Sequence, residues 1–146
     1  MKGPTVPEEL QADEALIASL VEAFFAAFTT GPEVDARLDA LREAFLPQAL
    51  IVRTGGLGLA VYDVEGFLAP RRALLTGGTL QEFREWEVSG RTDVSGDVAQ
   101  RFSRYAKAGV QSGTAFSAQG TKTLQFVRTP VGWRISAVAW HDEPGS

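Results

Sequence analysis

The chain has 146 residues, a formal charge of −4, one histidine and no cysteine, a length that can bury roughly two-thirds of its unfolded surface in one core without staples. This composition excludes a disulfide framework, a thiolate nucleophile and a cysteine zinc site, and a lone histidine argues against a histidine-rich metal centre. The acidic balance lacks the basic face that nucleic-acid binders of this size carry, so no nucleic-acid partner is expected.

The first residues offer Gly, Pro and acids where a secretory leader needs an apolar run, so a cytoplasmic location is expected. The most apolar stretch, residues 16–28, is thirteen residues long and contains Glu22, short of the about 20 a membrane span requires. It reads instead as a buried helix face. Ile17, Leu20, Val21, Phe24 and Phe28 fall on one stripe of a first helix spanning about residues 7–28. Pro32 suits the start of a second helix, in which Val34, Leu38, Leu41 and Phe45 repeat the spacing until Pro47.

Residues 49–53 read as a strand running into the turn that Gly55 and Gly56 begin. Asp63 is placed to cap a third helix containing Val64, Phe67, Leu68, Leu74 and Leu75, with a kink or break expected at Pro70. From Thr79 the text changes to alternation and turns, predicting strands over residues 80–94, 97–108, 120–129 and 132–141. The Ser-, Gly- and Ala-rich residues 111–119 read as the longest loop. Helices first and an antiparallel meander afterwards predict α+β, one layer of helices on one sheet, in a single domain over residues 1–146 with flexible ends at 1–7 and 143–146.

The phenylalanine-rich first helix, the strand Arg101-Phe102-Ser103-Arg104-Tyr105, the segment from Gly120 to Phe126 and above all Gly132-Trp133-Arg134-Ile135 followed by Trp140 resemble the NTF2-like superfamily, in particular its small SnoaL-like and DUF4440-like bacterial members. The resemblance implies a cystatin-like, cone-shaped sheet wrapped round the helices, a cavity between them, and often a homodimer through the sheet's outer face. It does not imply one reaction, because the superfamily includes isomerases, cyclases, dehydratases, transport factors and binding domains. Isomerases of the ketosteroid type use a carboxylate near the first strand together with a tyrosine and a protonated acid. Residues 50–55 contain no acid, and the first helix offers Phe24, Phe25 and Phe28 but no phenol, so that machinery does not carry over.

Strand parity puts Trp133, Ile135, Ala137, Ala139 and His141 on one side of the last strand, and Arg134, Ser136, Val138, Trp140 and Asp142 on the other; a bulge would invert part of this. Phe102 is expected to face the helices with Val98 and Ala106, and Leu124 with Phe126, leaving Arg101, Ser103, Tyr105, Thr123 and Gln125 outside. His141 is then the weak catalytic candidate at the cavity mouth. Arg53 is a fork for an anionic ligand, and Tyr62 and Trp86 are amphipathic wall residues. With Phe102 and Phe126 these make the expected ligand-binding set. Arg71 and Arg72 read as an ordinary charged helix face, and the sheet acids Glu82, Glu85, Glu87, Asp93 and Asp97 as solvated. No cofactor or metal is expected, and the glycine clusters lack the context of a phosphate loop. The leading expectation is binding of a small, largely apolar molecule. An isomerase, cyclase or hydratase using His141, Arg53 or Tyr62, and an interaction module using the outer sheet face with Arg101, Tyr105, Gln125 and Trp140, are the alternatives.

Overall fold

The computed structural model describes residues 7–144; the expectations for residues 1–6 and 145–146 lie outside that range. Among the described residues the elements run α1 (Glu8–Ala26), α2 (Val34–Ala44), β1 (Phe45–Thr54), β2 (Ala60–Tyr62), α3 (Val64–Thr76), β3 (Leu80–Ser95), β4 (Val98–Gln111), β5 (Thr114–Thr129) and β6 (Gly132–Asp142). The strands form one sheet in the order β2-β1-β6-β5-β4-β3. β1 pairs with β6 in parallel and every other pair is antiparallel. The α+β expectation of three helices on a mainly antiparallel sheet is what the chain forms.

α1 exists because its apolar stripe has somewhere to go: Ile17, Val21, Phe24 and Phe28 are buried against the sheet, where Leu124, Phe126, Ile135 and Val138 present the opposing surface. Phe24 alone meets the rings of Phe25, Phe28, Phe45 and Phe67 at centroid distances of 5.2–6.4 Å. Burying one such ring stabilises by about 1.5–3 kcal/mol. The start of α1 is pinned by Asp13, which accepts from Trp133 Nε1 at 3.0 Å and from Arg128 Nη2 at 2.7 Å. α3 begins as expected, with Asp63 accepting the Gly66 amide at 2.7 Å. It runs as one helix through Pro70, so of the expected kink or break the break does not occur. Arg42 bridges to Glu65 at 2.5 Å and Arg72 to Asp39 at 2.8 Å, holding α3 against α2.

Residues 111–119 are not a loop. Ser112 and Gly113 both take positive φ (51° and 81°), the two-residue turn whose twist suits a hairpin, and β4 and β5 pair without interruption on either side of it. β2 and the first half of β1, through Pro47, were also outside the sequence expectation.

Bulges set which side chains reach the helices. In β6, Phe126 pairs with Ile135 but Gln125 with Ala137, so Ser136 is the extra residue. Trp133 and Ile135 are buried before it, and Val138 and Trp140 after it. The unbroken parity that placed Ala137, Ala139 and His141 inward is therefore inverted beyond Ser136. β3 carries two irregularities, between Gln81 and Arg84 and between Glu87 and Ser89. The first contains Glu82 at φ 52°. Inward positions pass from Leu80 to Phe83, Glu85 and Glu87, then to Thr92 and Val94. On β4 the inward set is Ala99, Arg101, Ser103 and Tyr105, and Phe102 is 56% exposed on the outer face. This reverses the expected assignment. Polar groups are tolerated inside because they are paired: Arg101 binds Glu87 through Nε at 2.8 Å and Thr92 through Nη1 at 2.7 Å, and Ser103 donates to Glu87 at 2.7 Å.

Candidate functional site

A pocket of about 340 Å³ opens between α3 and the sheet. Phe67, Pro70, Arg71, Leu74 and Leu75 line it from one face of α3, at the spacing a helix requires. Opposite them the register lays a row of side chains across four strands, Arg53 beside Trp140, Trp140 beside Lys122 and Lys122 beside Ser103. The next row is Asp142, Gly120 and Tyr105. Phe28, Tyr62 and Phe83 complete an apolar wall, and Glu85 and Lys107, which are partners across β3 and β4, close the floor.

The charged groups divide into the compensated and the uncompensated. Asp142 accepts from the Tyr105 hydroxyl on one oxygen and from Lys107 Nζ at 2.9 Å on the other. Burial pushes its carboxyl up, but these donors and the Lys107 charge outweigh that and hold it below the usual range. Burial and the same hydrogen bond raise Tyr105, so it stays a phenol donor. Gly120 makes this contact possible: a Cβ there would lie 2.4 Å from the Tyr105 hydroxyl oxygen.

Lys122 is 6% exposed at its side chain, with Nζ 3.6 Å from a Glu85 oxygen. It lies 4.0 Å from the Tyr105 ring centroid, 5.2 Å from Trp140 and 5.6 Å from Phe24. Burial pulls its ammonium below the ordinary lysine value, against the pull of Glu85 and Asp142. The second Glu85 oxygen is buried without a hydrogen-bond partner.

Arg53 and Arg71 form no ion pair among the described residues. Arg53 Nε is buried and unpartnered. Arg71 donates to the Phe67 carbonyl at 3.0 Å and lies 4.0 Å over the Phe67 ring, 5.3 Å from Trp140 and 5.6 Å from Tyr62. Burial lowers the Arg71 value, outweighing the attraction of Tyr62 and Glu85, and repulsion from Arg53 adds a smaller push in the same direction. The pocket thus holds four cations against two carboxylates. Among the described residues no three His, Asp or Glu side chains gather as a metal would require.

Of the residues singled out in the sequence, Arg53 and Tyr62 meet in this pocket. His141 does not: the bulge turns it to the exposed face, where Nδ1 lies 3.3 Å from Thr54 Oγ1. Trp86 sits on the outer face with Arg84 4.6 Å over its ring, and there helps line a second, shallow depression. Phe102 is exposed, and Phe126 is buried in the core rather than in the pocket wall. Arg101 and Tyr105, expected outside, are inside, and so is Trp140. Sequence reasoning set Arg71 aside as part of a charged helix face and missed Glu85, Lys107, Lys122 and Asp142. Lys122 alone carried a signal, since it shares the parity of Leu124 and Phe126.

No family model matches the chain, and no curated protein matches it. Solved structures do. The Kfla4162 protein from Kribbella flavida superposes with TM-score 0.75 at 16% identity, covering 94% of this chain and 95% of that one. An NTF2-like protein with a cystatin-like fold from Novosphingobium aromaticivorans gives 0.69 at 23%, covering 94% and 86%. The hexachlorocyclohexane dehydrochlorinase LinA-type3 from Novosphingobium barchaimii gives 0.74 at 16%, covering 93% and 90%. At these identities the likeness concerns architecture, and the shared element order and topology are its content. The chain has the NTF2-like, cystatin-like fold.

Proposed function

We propose that the protein binds a small organic acid, its compact apolar body against α3 and Trp140 and its anionic group between Arg53 and Arg71. One observation carries this reading: two guanidiniums face one partly buried pocket and neither forms an ion pair among the described residues, while Asp142 is engaged by Tyr105 and Lys107 and Glu85 has Lys122 as its nearest cation. Buried charge is normally paired. A bidentate anion would supply the missing pair and relieve the repulsion between the two arginines. The expected largely apolar ligand fits the α3 wall; the polar floor adds an acidic group to it. The pocket's size suits a one-ring acid.

Thermal unfolding with phenylacetate and with phenylacetamide tests this. A ligand at about 100 times its Kd stabilises by about 2.7 kcal/mol, so above its Kd the acid is expected to raise Tm with the logarithm of its concentration and the amide is not. Equal shifts from both would overturn the reading.

We also propose a cytoplasmic homodimer joined through the outer sheet face. Support comes from Trp86, Val88 and Phe102, large apolar side chains exposed on neighbouring strands. No helix is long and apolar enough to cross a membrane among the described residues. A single species at monomer mass in light scattering would contradict the dimer.

A further inference from the structure

We propose that Lys122 is an amine nucleophile that forms an iminium with an aldehyde or ketone carbon of the bound acid, making the ligand class a carbonyl-bearing organic acid. The inference rests on the anion-binding reading for the ligand's orientation. Its own support is geometric. Lys122 Nζ lines the pocket, yet it is enclosed by the rings of Phe24, Tyr105 and Trp140 and has no hydrogen bond among the described residues. The one carboxylate within 4 Å of it among the described residues is that of Glu85, 3.6 Å away, whose side chain is itself 8% exposed and whose other oxygen has no partner; Asp142, Lys107 and Arg71 act on it from farther off. A structural salt bridge would bring both partners to hydrogen-bond distance and satisfy both oxygens. With no hydrogen bond locking it, the pair passes a proton through one bridging water or after a small side-chain shift, which leaves a neutral amine facing the pocket, the state in which a desolvated lysine attacks carbonyls.

The chemistry balances without an outside reagent. Lys122 gives one proton to Glu85. The free Nζ pair attacks the carbonyl carbon, a second nitrogen proton moves to the carbonyl oxygen, and a carbinolamine results. Glu85 returns its proton to that hydroxyl, the C–O bond breaks, and water leaves. The product is an iminium whose positive charge faces the Glu85 carboxylate, so the ion pair at the end carries the same charges as the one at the start. Arg53 shares a sheet row with Lys122 through Trp140. A carboxylate held by the arginines therefore lies on the same floor as the amine.

The chain has three lysines, Lys2, Lys107 and Lys122, so the site of capture is readable by peptide mapping of the unaltered protein. The probe is 4-formylbenzoate with cyanoborohydride, which reduces an iminium to a stable amine. The expected result is one capture at Lys122, slowed by excess benzoate, lost in Lys122→Met and slowed at least ten-fold in Glu85→Gln. Labelling confined to Lys2, Lys107 or the terminal amine, or no labelling while 4-formylbenzoate still raises Tm, overturns the lysine chemistry and leaves anion binding standing. Capture at Lys122 that is equally fast with benzaldehyde and indifferent to benzoate supports the lysine chemistry and overturns the arginine anchor. Lys122→Arg, which retains a cation, serves where Lys122→Met fails to fold.

Discussion

Tyr105 donates its hydroxyl to Asp142 across the bare backbone of Gly120, so two strands that are not neighbours are joined by a side chain laid over the strand between them. A methyl group at Gly120 would collide with the Tyr105 hydroxyl and with the His141 carbonyl, at 2.4 and 2.6 Å. Gly120→Ala is expected to lose about 1–3 kcal/mol of stability, read as a lower urea midpoint. Tyr105→Phe should lose about 1.5–3 kcal/mol through the missing hydrogen bond to a charged acceptor. If Gly120→Ala leaves the midpoint unchanged, Tyr105 does not occupy this position.

Acid should unfold the protein through identifiable groups. Hydrogen bonds from Arg128 and Trp133 hold Asp13 below its ordinary value. Glu87 is raised by burial but lowered further by Arg101 and Ser103, and Asp142 follows the same logic with Tyr105 and Lys107. Each folded value lies below the unfolded one, so the stability these groups contribute is present above about pH 4–5 and is lost as pH falls through their depressed folded values. Urea midpoints measured across that range should fall steadily with acid, and Asp13→Asn should flatten the slope. An unchanged slope in that variant would show that Asp13 does not contribute to acid unfolding.

The buried Glu85 and Lys122 pair should be costly to the fold. Replacing a buried ion pair by apolar residues is often neutral or stabilising by about 1–4 kcal/mol, whereas removing one partner is destabilising. The double variant Glu85→Leu with Lys122→Met is therefore expected to match or exceed the wild-type urea midpoint while losing carbonyl capture. Lys122→Met alone should fall below it. A double variant less stable than either single change would mean that the pair is retained for packing.

How much of this was legible in sequence depends on what sets each position. The α1 stripe of Ile17, Val21, Phe24 and Phe28 was legible because a helix face is fixed by spacing alone. The Asp63 cap was legible for the same local reason. Strand faces were not, because one extra residue reverses all that follows it. Ser136 turned His141 out and Trp140 in, and the irregularities in β3 put Trp86 outside although Leu80 and Val94, of the same parity, lie inside. Arg53 and Tyr62 were found because they end or adjoin apolar runs. Glu85, Lys107 and Asp142 were missed because a charged residue on a strand reads as solvated until the partner across the sheet is known.

The outer face gives a prediction of its own. Val88→Lys and Phe102→Asp place charges on the exposed apolar surface, and each should shift light-scattering mass from dimer to monomer without lowering the urea midpoint of the monomer. A mass that stays dimeric in both variants would locate the contact elsewhere.

If Arg53 and Arg71 make the pocket an anion site, isothermal titration will separate phenylacetate from phenylacetamide. Wild type is expected to prefer the acid by at least about ten-fold in Kd, or about 1.4 kcal/mol, and Arg53→Gln and Arg71→Gln are each expected to remove most of that preference while retaining the fold. Equal affinities in wild type, or a preference that survives both substitutions, would contradict the anion site.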